Sequence, residues 1–277
     1  MTTTADGILN QGHDDRLVQR IAADGADVIR KRYQHADAVE VFDAMTDLWR
    51  SPLGAGRVPP GLPRPLGLHA DRHGMDMACI DGRMLGERGD VGFLPQRLSD
   101  VADLLADLHS SGVVVPRRRT AAKLVTSLRR KFADEPHAVV EHLAGIAPQL
   151  AETVVVSHGD FSPRNIVVGA QGLVLIDFDR LQMAGAGRDV QYLAAWAWVT
   201  EVTAGRVDPR GGWALGDRFE MAYAERRPAA GDELRHSRSF HRASSLVRIA
   251  TSWSSLQVDY ATREFVLDEA LRMVRAG

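Results

Sequence analysis

The sequence has little cysteine and no long apolar run. Among its 277 residues only Cys79 is a cysteine, which excludes an internal disulfide and is typical of a reducing compartment such as the cytoplasm. No apolar stretch approaches the roughly 18 to 20 residues that a membrane span needs. The first residues also lack the basic and then apolar pattern of a secretory signal. We therefore expect a cytoplasmic protein without a membrane segment.

Neither sign of charge dominates the chain. It has 34 Lys plus Arg against 36 Asp plus Glu, for a net charge of −2. That balance provides no field that would attract nucleic acid, and no nucleic-acid motif is present. The scattered histidines do not have the spacing of metal ligands. The length suits one large or two small domains, in a monomer or a homodimer.

One short stretch carries most of the chemical information. It places Asp160, then Asn165 five residues later, then Asp177 twelve residues beyond that. Phosphoryl transfer needs such a set, because one carboxylate accepts or orients a hydroxyl proton. An amide oxygen and a second carboxylate then hold the Mg²⁺ that bridges the nucleotide phosphates. Hard oxygen ligands favour Mg²⁺ over zinc.

The residues around this motif predict a strand, a loop, a hairpin and a second loop. Three short β-branched or aliphatic runs are strand-like, and the glycines of the 169–172 segment suit a hairpin turn. The runs are 153–156, 166–168 and 173–176. A hairpin returns its far end to its start. We therefore expect Asp160, Asn165 and Asp177 to converge around one ion.

The spacing from Asp160 to Asn165 equals that of the protein-kinase H-R-D-L-x-x-x-N loop, which precedes a D-F-G motif. Protein kinases carry Arg at the position of Gly159 and Gly at the position of Asp179. At the position of Ser162 they usually carry Lys. In these respects the chain resembles the aminoglycoside phosphotransferase and choline kinase superfamily of small-molecule kinases. The resemblance is strongest over about residues 154–193 and weaker over nearly all the rest.

The resemblance implies an α+β, two-lobed, protein-kinase-like fold. Residues 1–82 would form a small β-rich N-lobe that binds the nucleotide, with a hinge at about 77–82. Residues 83–277 would form a larger, mainly helical C-lobe with the catalytic loop, the metal site and the helices that bind the acceptor.

Lys31 and Glu40 are the candidates for the phosphate clamp that the resemblance implies. Alternation predicts two strands over 16–21 and 26–33, and three- and four-residue spacing predicts a helix from about Ala38. Lys31 lies in the second strand and is one of only three lysines in the chain, while Glu40 lies in the first helical turn. The alternative is that Lys31 is one more solvated base in an Arg-Lys-Arg run.

The rest of the nucleotide site is assigned by position. The chain has no G-x-G-x-x-G, and Gly12 is the one glycine of the 11–15 segment, which precedes the first strand and would cover the phosphates. The resemblance places the adenine-binding hinge at Met77, Cys79 and Ile80, where backbone groups would contact the base. A plain surface hairpin is the competing interpretation of that segment.

Several other conspicuous residues favour structural roles. Asp189 follows glycines and precedes an apolar run, which is typical of a helix N-cap; in the related family it also braces the catalytic loop. His158 and His109 are expected to support the loop and a helix end. The C-terminal tryptophans and tyrosines are more consistent with a core than with an acceptor pocket.

We therefore expect an ATP- or GTP-dependent, Mg²⁺-dependent kinase that acts on a hydroxyl of a small molecule. The acceptor could be an antibiotic of the aminoglycoside or macrolide type, or a choline-like or sugar-like metabolite. A nucleotide-binding pseudokinase without phosphotransfer activity is the main alternative. A metal-dependent phosphohydrolase is a third interpretation, although the sequence does not show the two-metal cluster it would use.

Overall fold

A computed structural model describes residues 8–11, 16–23, 25–87, 90–135, 137–251 and 260–276. The chain divides into two compact units. The first contains residues 1–83, 111–113 and 166–179, and the second contains 84–110, 114–165 and 180–277. Residues 166–179, which the sequence analysis places in the C-lobe, thus belong to the first unit. The α+β class is confirmed, since strands dominate the first unit and helices the second.

The first unit is built on a five-stranded antiparallel sheet. Its strand order is β1-β2-β3-β5-β4, and β3 is the central strand. The strands are β1 (Ile8–Gln11), β2 (Arg16–Ala23), β3 (Ala26–Tyr33), β4 (Pro65–Leu68) and β5 (Gly74–Ala78). In β3, Lys31 lies opposite Val18 of β2 and Met75 of β5. Lys31 and Tyr33 share one face of the strand, because side chains alternate along it.

One helix, α1 (Val39–Arg50), covers part of this unit and packs against β4. Its buried face consists of Ala44, Met45 and Leu48. Asp37 lies two residues before the helix and accepts a hydrogen bond from the Val39 N–H at 2.8 Å. Asp37 therefore binds a first-turn N–H from one position before the N-cap, Ala38.

A second sheet in the first unit contains the predicted hairpin. Its order is β6 (Gly82–Met84), β8 (Ile166–Gly169) and β9 (Leu173–Leu175). The Gly169 N–H donates to the Gly172 carbonyl at 2.9 Å and closes the turn, as the glycines predicted. Ile166 lies directly opposite Leu175 at the open end, where the chain enters from Asn165 and leaves toward Asp177.

The second unit is mainly helical. A two-stranded antiparallel ladder, β7 (Val154–Ser157) with β10 (Gln182–Gly185), supports the loop that follows β7. Within the described residues, the helices of this unit are α2 (Leu98–His109), α3 (Ala121–Lys131), α4 (Ala138–Ile146), α5 (Gly187–Thr203), α6 (Ala214–Arg226), α7 (Gly231–Thr251) and α8 (Tyr260–Ala276).

Helix α5 runs through the centre of this unit and is buried on all sides over most of its length. It packs against α6 and α7, and α8 packs against α7. The Trp198 ring is fully buried and stacks on Trp213 and Phe265, with centroids 5.4 and 5.6 Å away. Trp198 and Trp213 are therefore core residues, as expected. No described helix combines the length and apolar character needed to cross a membrane.

Candidate active site

The loop between β7 and β8 carries Asp160 and Asn165, and it depends on Gly159. Gly159 has φ +78°, a left-handed conformation that side chains other than glycine rarely adopt. A Cβ at this position would lie 2.3 Å from the Arg180 carbonyl oxygen. Both conditions require glycine. They give a physical reason for Gly159 at a position where protein kinases carry arginine.

The carboxylate of Asp189, in the first turn of α5, anchors this loop. It accepts the backbone N–H of His158 at 2.7 Å and of Gly159 at 2.9 Å. The predicted loop brace is therefore present. The predicted N-cap role is wrong, because α5 begins two residues earlier and its N-cap is Ala186.

The same carboxylate is paired with a buried histidine. His109 Nε2 lies 3.1 Å from Asp189, and the Tyr223 hydroxyl lies 2.6 Å from His109 Nδ1. The Arg227 guanidinium donates to that hydroxyl at 3.1 Å. The tyrosine thus accepts from Arg227 and donates to His109. Burial works to raise the pKa of Asp189, but the hydrogen bonds from His109 and from the Gly159 N–H help to lower that pKa to about 2.

Arg248 of α7, which lies much later in the sequence, binds Asp160. The guanidinium donates to the Asp160 carboxylate at 2.8 Å and to the Gly159 carbonyl, and it lies over the Tyr192 ring at 4.2 Å. Burial works to raise the pKa of Asp160, but the charges of Arg248 and Arg180 outweigh it and lower that pKa. The carboxylate is therefore an anion at neutral pH.

Asn165 is oriented by Asp160. Its Nδ2 donates to the Asp160 backbone carbonyl at 2.9 Å and to the Asp160 carboxylate at 3.3 Å. With the amide N–H groups directed to Asp160, the amide oxygen is the atom left to face a cation. His158 adds a further brace, since its Nδ1 accepts the Asp160 N–H at 3.3 Å. The loop-supporting role predicted for His158 is confirmed.

In the first unit, Lys31 lies in a cluster of charged groups. Its side chain is 8% exposed and donates to Asp177 at 2.8 Å and to Asp179 at 2.6 Å. The Tyr33 hydroxyl donates to Asp179 at 2.8 Å, and Arg16 from β2 also pairs with Asp179. Burial first, and then the charge of Asp179, raise the pKa of the Tyr33 hydroxyl. Lys31 is therefore a buried, paired cation and not a solvated base.

The backbone at Asp177 is in a conformation uncommon for its residue type. Its φ is +64°, in the left-handed region that Asp tolerates better than most residues because its short side chain bonds locally. Such strain costs about 1 to 3 kcal/mol and persists where surrounding contacts hold it. Here the bond from Lys31 and a longer one from Arg16, at 3.4 Å, hold the carboxylate.

The predictions for the other nucleotide-binding residues have different outcomes. Glu40 is exposed, and Lys31 bonds to Asp177 and Asp179 in place of it, so the expected Lys31–Glu40 pair is not the one observed. Gly12 lies outside the described residues. Met77 belongs to β5, and the Cys79 N–H donates to the Asp27 carbonyl at 3.3 Å. The adenine contacts assigned to Met77, Cys79 and Ile80 stay a prediction.

The residues that could hold a metal fit a hard ion with few protein ligands. Among the residues that the structure describes, no group of three or more His, Cys, Asp or Glu side chains could hold a metal ion. An Asn oxygen and one carboxylate match Mg²⁺, which keeps several waters and takes further oxygens from nucleotide phosphates. The same finding gives no support to a two-metal hydrolase within the described residues.

Sequence reasoning missed Arg248, Arg16 and Tyr33. Arg248 is one of many arginines in a helical segment, and nothing in its spacing relates it to Asp160. Tyr33 had an available signal, because it lies two residues from Lys31 and alternation places both on one face of β3. Arg16 could be connected to the cluster only through the pairing of β2 with β3.

Replacing Gly159 by alanine should destabilise the protein more than the same change at Gly205. Gly205 has a similar φ of +67°, but no atom lies within 4 Å of the position that a Cβ would take. The change at Gly205 therefore measures the backbone strain alone, about 1 kcal/mol. Urea unfolding should show an additional loss for Gly159→Ala, because its Cβ meets the Arg180 carbonyl. Equal losses would contradict this interpretation.

The Asp189 carboxylate should make the protein sensitive to acid. Its pKa is about 2 when folded and about 3.9 when unfolded, so its contribution is present above pH 4 and is lost as the pH falls toward 2. The lost stability is on the order of 2–3 kcal/mol. Denaturant unfolding at pH 6, 4 and 3 should show a smaller loss of stability in Asp189→Asn than in the wild type. Identical pH profiles would refute the assignment.

Comparison with known proteins identifies the family. The sequence profile of the phosphotransferase enzyme family (APH) matches residues 8–228, and no curated protein matches. Among solved structures, a choline/ethanolamine kinase family protein from Mesorhizobium loti has a TM-score of 0.64 and 13% identity, covering 98% of this chain and 92% of its own.

Two further structures have the same fold. A thermostable mutant of aminoglycoside phosphotransferase APH(4)-Ia has a TM-score of 0.66 and 13% identity, over 98% of this chain and 94% of that one. LicA, a choline kinase from Streptococcus pneumoniae, in complex with AMP has a TM-score of 0.62 and 11% identity, over 97% and 90%. With the family profile spanning most of its length, the chain belongs to the phosphotransferase enzyme family and is a small-molecule kinase.

Proposed function

We propose that the protein transfers the γ-phosphate of ATP or GTP to a hydroxyl group of a small molecule. The observation that carries the proposal is the anchored loop, in which Arg248 binds Asp160 and Asp160 orients Asn165. The AMP complex of the similar choline kinase LicA supports an adenine nucleotide as donor. Holding a loop in such a constrained arrangement costs free energy of folding. That cost is expected in an enzyme that uses the loop.

In this proposal Asp160 orients the acceptor hydroxyl and receives its proton. The bond from Arg248 and the lowered pKa make the carboxylate a weak base. A weak base is sufficient, because the phosphoryl transition state is loose and the hydroxyl proton need not leave early. The main contribution of Asp160 is therefore to position the attacking oxygen.

Lys31 binds the nucleotide phosphates in this proposal. It is a buried ammonium, already desolvated and held by Asp177 and Asp179. Because its charge lies in a region of low exposure, it interacts with phosphate oxygens more strongly than a solvated lysine would. Glu40 is exposed and would have to move to pair with Lys31.

Asn165 and Asp177 would hold Mg²⁺ through an amide oxygen and a carboxylate oxygen. When bound, Mg²⁺ neutralises charge on the transferred phosphoryl group and its leaving group. The left-handed backbone at Asp177 fixes the direction in which that carboxylate leaves the chain. Asp179 is more deeply paired, with Lys31, Tyr33 and Arg16, and is assigned to anchoring.

A pseudokinase that binds nucleotide without transferring phosphate is the second candidate. Retention of Asp160, Asn165, Lys31 and Asp177 in well-supported positions favours the active enzyme. Both antibiotic modification and metabolic phosphorylation agree with the family. Direct assay of phosphorylated product separates the active enzyme from the pseudokinase, and resistance in a sensitive host separates the two kinds of acceptor.

Asp160→Asn should lower phosphotransfer by about 10² to 10⁴ fold and leave the nucleotide Kd within a few fold, because the residue acts on the hydroxyl and not on the nucleotide. Asparagine can still accept from Arg248, so the fold should survive. Asp232→Asn, at a side chain 84% exposed, is the matched control and should behave as the wild type. Full activity in Asp160→Asn would refute the catalytic assignment.

Asp177→Asn should reduce the enhancement of nucleotide binding by Mg²⁺, because a carboxylate ligand is lost. Titration calorimetry with and without Mg²⁺ should show a loss of at least about ten-fold in the Mg²⁺-dependent part. Binding measured in EDTA should change less. An unchanged Mg²⁺ effect would contradict the metal assignment.

A further inference from the structure

A small cavity in the second unit lies beside the residues that hold Asp160. Its lining includes Arg188, Tyr192, His241, Ser244, Ser245 and Arg248. Among the described residues, the lining has no carboxylate and contains two guanidinium groups, two hydroxyls, an imidazole and a phenol. Arg248 both lines the cavity and binds Asp160. The cavity is therefore adjacent to the carboxylate that we assign to the acceptor hydroxyl.

Arg188 is incompletely satisfied. Within the described residues, its buried Nε–H has no hydrogen-bond acceptor. Burial first, and then the charge of Arg248, lower the pKa of the Arg188 guanidinium to about 9. A buried donor without an acceptor costs free energy, which an anionic ligand would offset. Arg188 is also in the first turn of α5, where the helix dipole favours an anion.

More basic side chains act on the same region. Burial and the charges of Arg117 and Arg248 lower the pKa of Arg119. Lys131 contacts Thr251, one turn beyond Arg248 on α7. The acids nearby are already engaged, since Asp160 is bound to Arg248, Asp189 to His109, and Glu152 to His241.

From this arrangement we propose that the acceptor alcohol carries an anionic group, a carboxylate or a phosphate, bound by Arg188 at the cavity, with the charge of Arg119 adding to the attraction. The inference rests on the proposed function and specifies its substrate class. A cationic acceptor such as choline, or a polycationic aminoglycoside, would be repelled by the same groups.

Phosphoryl transfer to such an acceptor forms one bond and breaks one bond at the γ-phosphorus. The acceptor hydroxyl oxygen forms a bond to the γ-phosphorus, and the bond from that phosphorus to the β–γ bridging oxygen breaks. The hydroxyl proton passes to Asp160 and then to solvent, and the nucleoside diphosphate leaves. The anionic group of the acceptor is not altered and serves only for binding.

The test is a set of matched acceptors that differ in charge. Glucose, glucosamine, gluconate and glucose 6-phosphate form one set; glycerol, glycerate and glycerol 3-phosphate form another. Nucleoside diphosphate release and the phosphorylated product are measured for each. Anionic members should have a kcat/KM at least about ten-fold above that of the neutral and cationic members, as expected for one added charge-assisted contact. The carboxylate and phosphate members distinguish the two kinds of anion.

Two neighbouring arginines provide a matched pair of variants. Arg119 is half-buried and interacts with the other cations, whereas the adjacent Arg118 is exposed. Arg119→Gln and Arg188→Gln should raise KM for anionic acceptors about ten-fold or more and leave KM for the nucleotide within about two-fold. Arg118→Gln removes the same charge and should change neither. Equal effects of Arg118→Gln and Arg119→Gln would overturn the site.

The outcomes separate this inference from the proposed function. Preferential phosphorylation of a neutral or cationic acceptor would overturn the anionic site and support the kinase. If no member of either set is phosphorylated, the acceptor lies outside both sets, and titration of gluconate against glucose in the nucleotide-free protein decides on the site. Tighter binding of gluconate that is lost in a folded Arg188→Gln supports the site. Equal binding, or none, overturns it.

Discussion

The geometry of the loop between β7 and β8 depends on one buried carboxylate. Asp189 accepts two successive backbone N–H groups of the loop and pairs with His109, so it joins the loop to α5 and α2. Through His109 and Tyr223 the same network reaches α6. Removing this carboxylate would leave several buried N–H donors without an acceptor, which typically costs about 1–3 kcal/mol for each buried group.

The other functional carboxylates follow a common pattern in which each is paired with a cation from a distant part of the chain. Asp160 is paired with Arg248 of α7, while Asp177 and Asp179 are paired with Lys31 of β3. Such pairing stabilises the ionised form and fixes the direction of the carboxylate oxygens. It also limits the basicity of Asp160. That limitation suits phosphoryl transfer, in which positioning and electrostatic stabilisation contribute more than proton abstraction.

The sequence predicted those parts of the site that depend on local pattern. The hairpin turn at Gly169–Gly172, the strand around Lys31 and the loop brace at Asp189 follow from glycine placement, alternation and a family motif. Local pattern could not indicate that Lys31 pairs with Asp177 and Asp179 and not with Glu40, since that depends on how the strands bring distant charges together. The prediction for the start of α5 was wrong. The sequence pattern around Asp189 is typical of an N-cap, but its carboxylate bonds to the loop that follows β7.

Arg248 has a consequence for the order in which the enzyme becomes competent. Its partners, Gly159 and Asp160, lie nearly ninety positions earlier in the chain. During synthesis at roughly 5–20 residues per second, the ribosome must add that whole stretch before the loop can be locked. A nascent chain with β7 and α5 already formed would still present Asp160 without its guanidinium. The carboxylate of Asp160 can thus be paired only after α7 has emerged.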